Sequence, residues 1–125
     1  MLRLGGAVLC VAAGAALLPR ETMIATNAAL GLAPLPDLPI VYYLARSTSA
    51  LYALRGASYF VAAADPIRYR GLIVFIGVTN IVYGIVLAGI GASAGMPIWW
   101  TAVEGPFVIV AGIVLLALVR GVPRR

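Results

Sequence analysis

Three ionisable residues stand inside apolar stretches of the chain: Arg46, Arg55 and Glu104. A charged side chain is costly at membrane depth, so each is a candidate for a functional site. Counted from the same side, Arg46 lies about 10 Å into the second apolar segment and Glu104 about 9 Å into the fourth. This matched depth predicts an Arg46–Glu104 ion pair. The residues expected around it are Tyr42, Tyr43, Ser49 and Trp99 or Trp100. The pair either lines a ligand pocket or only fixes helix register, unless both side chains extend outward to the headgroups.

A second polar cluster is predicted around Arg55. It lies on the opposite face from Arg46, since nine residues turn a helix through about 180°. Its depth matches that of Asn80 in the third apolar segment, so we expect these side chains to meet. Tyrosines flank the cluster at helical spacing: Tyr52, Tyr59 and Tyr83. No carboxylate shares this depth, so an anionic or carbonyl-bearing partner is expected, unless Arg55 extends to the inner headgroups.

The sequence offers little for covalent or metal chemistry. It has no histidine and one cysteine, Cys10, which excludes an internal disulfide and a CxxC redox pair. We therefore expect no metal and no cofactor. The chain carries no recognisable catalytic motif, so we expect a protein that is not an enzyme.

The composition indicates which elements position these residues. The chain has 125 residues, is 63% hydrophobic and 10% charged, and has a mean hydropathy of +1.06. A soluble domain of this size could not bury so much apolar surface, so we predict that lipid is its solvent. The nine basic residues are all arginines scattered along the chain, which argues against nucleic-acid binding.

We predict an all-α fold, a four-helix transmembrane bundle that forms a single domain over residues 1–125. The predicted spans are residues 2–18, 38–64, 69–92 and 98–119. The first segment is alternatively a cleaved signal peptide. Between the first two spans, residues 20–32 have the pattern of a short amphipathic helix on the membrane surface, or form a plain loop.

Local signals mark the ends and faces of these spans. Asp37 is placed to cap the second span, and Asp65 followed by Pro66 is typical of the start of the third. Small residues recur at helical spacing in three spans and predict faces on which helices could pack closely: Ala12 and Ala16, Gly77 and Gly84 with Ala88 and Ala92, and Gly105 and Gly112.

Basic residues predict the orientation in the membrane. With both termini in the cytoplasm, the outer side holds one arginine outside the spans, Arg20. The inner side holds six: Arg3, Arg68, Arg70, Arg120, Arg124 and Arg125. Arg68 and Arg70 then anchor the chain at the inner headgroups, and Trp99 and Trp100 at the outer interface. We expect a multi-pass protein of the inner (cytoplasmic) membrane.

Several short stretches carry a resemblance to known proteins: YLARS at 43–47, DPIRYR at 65–70, PIWW at 97–100 and EGP at 104–106. Through them the chain resembles a group of small bacterial integral membrane proteins with four predicted helices and no assigned activity. Its size and helix count are also similar to those of DoxX-like proteins. The resemblance implies a four-helix membrane fold and implies no catalytic residues.

Two functions are compatible with these features. The first is an accessory or scaffolding subunit of a membrane complex, whose partners are the lipid bilayer and other membrane subunits or a second copy. The alternative is a binder or carrier of a lipid, a quinone or a small anion, through Arg46 and Glu104 or through Arg55 and Asn80.

Overall fold

The computed structural model describes residues 1–123, apart from the side chain of Ala15. Arg124 and Arg125, which the topology prediction counts, lie outside the described residues. The described chain is helical without strands, which confirms the all-α class. Its five helices are α1 (Leu2–Leu17), α2 (Arg20–Ala29), α3 (Pro39–Ala64), α4 (Arg70–Ser93) and α5 (Ile98–Arg120).

Four of these helices begin and end within one residue of the predicted spans, namely α1, α3, α4 and α5. The remaining helix, α2, is the short helix predicted between the first two spans. It is three residues shorter than predicted because Gly31 adopts a left-handed conformation, with φ of 66°, just after it ends. The location of α2 on a membrane surface stays a prediction.

Two helices, not four, are both long and apolar enough to cross a membrane. They are α4 and α5, with mean hydropathies of 2.3 and 2.4 in their most apolar stretches. Helix α1 would extend only about 24 Å, against a hydrocarbon core of about 30 Å. Helix α3 is long enough, but its tyrosines, hydroxyl residues and two arginines lower its hydropathy. The four-span topology and the cytoplasmic termini therefore stay predictions.

The chain divides into two compact units, Met1–Ala63 and Ala64–Arg125. The first unit contains α1, α2 and nearly all of α3, and the second contains α4 and α5. The single domain predicted over the whole chain stays a prediction.

In the first unit, α1 and α3 approach closely where Gly6 faces Gly56. A Cβ atom on Gly56 would lie 2.9 Å from the Gly6 carbonyl oxygen and 2.8 Å from Cys10 Sγ. The Cys10 thiol donates a hydrogen bond to the Ala53 carbonyl oxygen, with an S···O distance of 3.7 Å. Cys10 therefore serves in helix packing at this crossing.

In the second unit, α4 and α5 pack backbone to backbone along a line of glycines, here called the glycine seam: Gly77 and Gly84 of α4, Gly105 and Gly112 of α5. A Cβ atom on Gly84 would lie 2.7 Å from the Gly105 carbonyl oxygen, and one on Gly112 would lie 2.6 Å from the Gly77 carbonyl oxygen. No side chain fits at these distances. The close packing predicted from the glycine spacing is confirmed.

Larger side chains complete the packing of this helix hairpin. The buried apolar residues of its two helices are Ile73, Ile76, Leu115 and Val119. The turn between the helices uses Gly95, whose φ of 67° favours a residue without a Cβ atom. The glycine seam and these four residues hold the hairpin together, while most other large apolar side chains of α4 and α5 face outward.

Two glycines of α4 provide a direct test of the seam. We expect Gly84→Ala to destabilise the protein by about 1–3 kcal/mol, because the new methyl group collides with backbone atoms of α5. The matched control is Gly89→Ala, where no atom lies within 4 Å of the added Cβ. That change should stabilise the helix by about 0.5–1 kcal/mol. Reversible unfolding in detergent micelles measures both, and equal effects of the two substitutions would contradict the seam.

Candidate functional site

The first unit contains an open cavity of about 480 Å³ near the start of α3. We call it the arginine cavity; its lining residues are Arg20, Asp37, Pro39, Tyr42, Tyr43, Arg46 and Ser47. They come from the first residue of α2, from the proline-rich segment before α3, and from the first turns of α3 itself. Sequence reasoning placed Arg46, Tyr42 and Tyr43 in the first predicted cluster. It assigned Arg20 and Asp37 to other roles.

One wall of the arginine cavity is built around Arg20. Its guanidinium forms an ion pair with the Asp37 carboxylate and lies 4.9 Å from the centre of the Tyr42 ring. The Asp37 carboxylate raises the pKa of Arg20 above its ordinary value, so the guanidinium stays charged. Both partners are exposed, and an exposed pair contributes little to stability. Asp37, expected to cap the second span, is instead engaged with α2.

Arg46 lies on the other side of the cavity. Its Nη2 donates a hydrogen bond of 3.1 Å to the carbonyl oxygen of Leu18, just beyond the end of α1. Carbonyl groups at a helix C-terminus have no partner within the helix, and a guanidinium can satisfy them. Glu21 and Asp37 are the carboxylates of the first unit. Among the residues described there, Arg46 forms an ion pair with neither.

Two tyrosines complete the lining and differ in their exposure. The Tyr42 hydroxyl is buried and lies beside the Arg20 guanidinium, whose pKa it helps Asp37 to raise, but no hydrogen bond of good geometry joins it to a described residue. Tyr43 is 65% exposed. A buried hydroxyl without a partner is unusual, because leaving such a group unsatisfied costs about 1–3 kcal/mol.

In the second unit, Glu104 has a partner on its own helix. The indole Nε1 of Trp100 donates a hydrogen bond of 2.7 Å to Glu104 Oε2, one helical turn away. Trp99 is half-exposed and packs edge-on against Trp100, with 5.4 Å between ring centroids. The predicted Arg46–Glu104 pair would join the two units and stays a prediction, as does the anchoring of the two tryptophans at a membrane interface.

The second predicted cluster also draws on both units, and its pairing of Arg55 with Asn80 stays a prediction. Asn80 is 3% exposed, and its Cβ atom lies 3.0 Å from where a Cβ on Gly112 would stand. Arg55 is half-buried on α3. The tyrosines expected around the pair are at least half-buried, and the most buried of them is Tyr59: Tyr52, Tyr59 and Tyr83.

The loop before α4 is organised by Asp65. The Arg68 backbone N–H donates to Asp65 Oδ1 at 3.0 Å, and the Tyr69 backbone N–H donates to the Asp65 carbonyl oxygen at 2.9 Å. Asp65 therefore organises the turn of residues 66–69. The prediction that Asp65 caps the third span is wrong, because α4 begins only at Arg70 and its N-cap is Tyr69, which makes no side-chain cap hydrogen bond. Arg70 Nε donates to the Val122 carbonyl oxygen at 3.3 Å, whereas Arg68 is exposed. Lipid anchoring by these two arginines stays a prediction.

Metal chemistry is not indicated by the described residues. No group of three or more histidine, cysteine, aspartate or glutamate side chains there could hold a metal ion. Cys10 is half-buried within the α1–α3 contact.

Comparisons of the chain with protein-family models, with curated proteins and with solved structures find no match. The membership in a four-helix bacterial family that the sequence suggests therefore stays an expectation.

The Trp100–Glu104 hydrogen bond can be tested with an internal control. We expect the indole N–H proton of Trp100 to resonate downfield of that of Trp99 in an NMR spectrum, because Trp100 donates to a carboxylate. Glu104→Leu should move the Trp100 resonance upfield and leave Trp99 in place, while Glu104→Gln should move it less. Trp→Phe variants assign the two signals, and a Trp100 signal insensitive to Glu104→Leu would contradict the bond.

Proposed function

We propose that the protein is a small integral membrane protein whose α4–α5 hairpin crosses the bilayer, and that it serves as a non-enzymatic accessory or scaffolding subunit of a membrane complex. One observation carries the membrane assignment. In the most apolar stretches of α4 and α5, only 28% and 22% of the residues are buried. The core helix of a soluble protein would be mostly buried.

The outward faces of the hairpin support this proposal. Large apolar side chains are exposed along both helices: Phe75, Val78, Val82, Ile85, Val103, Phe107, Val110 and Ile113. A contiguous apolar surface of this kind is rare on a soluble monomer and marks contact with lipid or protein. The helical backbone pairs most polar groups of both helices internally, as hydrocarbon demands, but Pro106 inside α5 has no N–H and so leaves the Ala102 carbonyl without its helical donor.

We further propose four spans with both termini in the cytoplasm, in the inner membrane of a bacterium. Helix α3 has 26 residues, or about 39 Å, which is enough to cross despite its two arginines. Helix α1 is apolar enough to lie in lipid, although its 16 residues make it shorter than α3. The excess of arginine on the proposed cytoplasmic side supports the orientation.

The subunit role rests on what the chain is built from. At 13.0 kDa it is 80% helical, and its helices are joined by connecting segments of two to nine residues. The exposed faces of α4 and α5 can contact the helices of another membrane subunit, or of a second copy, as readily as lipid. The absence of a catalytic motif from the sequence supports a role in assembly.

A charge placed at the middle of α4 tests the membrane assignment. Val82 is 56% exposed there. In lipid, Val82→Arg should make insertion less favourable by about 2.5–3.5 kcal/mol and reduce the fraction of protein that resists alkaline carbonate extraction. The matched control is Ala94→Arg in the exposed turn after α4, which should have no effect. If α4 instead faces water, both substitutions should be silent.

The subunit role is tested by native mass spectrometry after gentle extraction from the membrane of the producing cells. We expect a mass well above 13.0 kDa that includes other polypeptides. A chain that is released only as a monomer, under conditions that keep known membrane complexes intact, would contradict the proposal.

A further inference from the structure

We infer that the arginine cavity of the first unit is a binding site for a phosphate group. The site keeps Arg46, Tyr42 and Tyr43 of the first predicted cluster. It differs from that cluster in that Arg20, Asp37 and Ser47 take part and Glu104 does not line it. The phosphate belongs either to an anionic lipid headgroup or to a free phosphate compound. An anionic lipid can supply the phosphate group only if the protein lies in a membrane, as proposed above. The phosphate site itself does not depend on that proposal.

The charge of the lining residues favours an anion. Arg20 and Arg46 contribute two positive charges, and Asp37 contributes one negative charge that is already paired with Arg20. The lining therefore has one net positive charge. Arg46 carries it without an ion-pair partner in its unit.

The donors of Arg46 suit phosphate in geometry as well as charge. A guanidinium has five N–H donors arranged as a planar fork that matches phosphate oxygens in pairs. Among the described residues, Nη2 of Arg46 donates a hydrogen bond to the Leu18 carbonyl oxygen. This bond positions the guanidinium at the cavity and leaves donors for a second acceptor.

The hydroxyl groups of the cavity supply further donors. The Tyr42 hydroxyl is buried beside the Arg20 guanidinium without a hydrogen bond of good geometry, and Ser47 lines the same cavity. A small rotation of the Tyr42 side chain toward the cavity would let its hydroxyl donate to a phosphate oxygen, which would offset the cost of the unsatisfied group. The Tyr42 hydroxyl and the two arginines therefore favour the same ligand, a phosphate group.

The size and walls of the cavity fit a phosphate that carries an organic group. A volume of about 480 Å³ exceeds what a bare phosphate ion fills. The ring of Pro39 and the aromatic ring of the half-exposed Tyr43 offer apolar surface for a glycerol or acyl portion. A phosphatidylglycerol headgroup has both parts.

Binding is measured on the full-length protein in an uncharged detergent, with inorganic phosphate as one probe and phosphatidylglycerol as the other. Isothermal titration gives the affinity for each, with phosphatidylcholine as the neutral-headgroup comparison. We expect Arg46→Gln to weaken binding by at least about tenfold. The matched control is Arg3→Gln. Arg3 is an exposed arginine of the same unit that does not line the cavity, so its loss removes an equal charge and should leave the affinity within about twofold.

A second variant separates binding from folding, because Arg46→Gln also removes the hydrogen bond to Leu18. Tyr42→Phe deletes the unpartnered hydroxyl, so the unliganded protein should melt at the same or a higher temperature. Its affinity for the phosphate probe should nevertheless fall by about fivefold or more.

The outcomes are distinct. Binding of phosphatidylglycerol that inorganic phosphate does not displace identifies a lipid site, and binding of inorganic phosphate alone identifies a soluble ligand; both support the inference. Binding that is absent, or that is unchanged in Arg46→Gln and Tyr42→Phe, overturns it. That failure would leave the proposed membrane function standing, because the Val82→Arg experiment tests it without reference to the cavity.

Discussion

The second unit depends on the approach of two helix backbones along the glycine seam. In lipid no hydrophobic force drives helices together, so association relies on dense van der Waals contact and on weak Cα–H···O bonds. The seven-residue spacing brings Gly77 opposite Gly112 and Gly84 opposite Gly105 in one antiparallel register. Because small residues supply the contact, the large apolar side chains of both helices are left to face outward. The apolar outer surface thus follows from the seam.

The first unit combines the same device with polar contacts. Its helices meet closely at Gly6 and Gly56, while Arg20 and Arg46 tie the segment between α1 and α3 to the start of α3. These arginines make α3 and its surroundings less apolar than α4 or α5. A chain selected only to span a membrane would not need them, and their convergence on one cavity is the reason to assign them a ligand.

Helix positions and the glycine seam were predictable because apolar runs, prolines and glycine spacing are local properties of a sequence. The contacts that Arg20, Asp37 and Arg46 make within the first unit were not predicted, because they join residues far apart in the sequence. Depth counting sought a partner for Arg46 only in other spans and overlooked the terminal carbonyls of α1. Asp37 was predicted to cap the helix that follows it, α3, whereas the proline-rich segment brings its carboxylate to Arg20. The Trp100–Glu104 hydrogen bond could have been predicted, because residues four apart lie on the same face of a helix.

The central claim is that α4 presents one face to α5 and the opposite face to lipid. Spin labels placed singly along residues 74–90, in a Cys10→Ala background reconstituted into bilayers, test it most directly. Labels are left out at the seam glycines, where no side chain fits. Collisions with oxygen should be frequent and collisions with a polar nickel complex rare at Phe75, Val78, Val82 and Ile85, and both should be minimal at the buried Ile76. Frequent nickel collisions at the outward positions, or equal oxygen collisions on all faces, would contradict it.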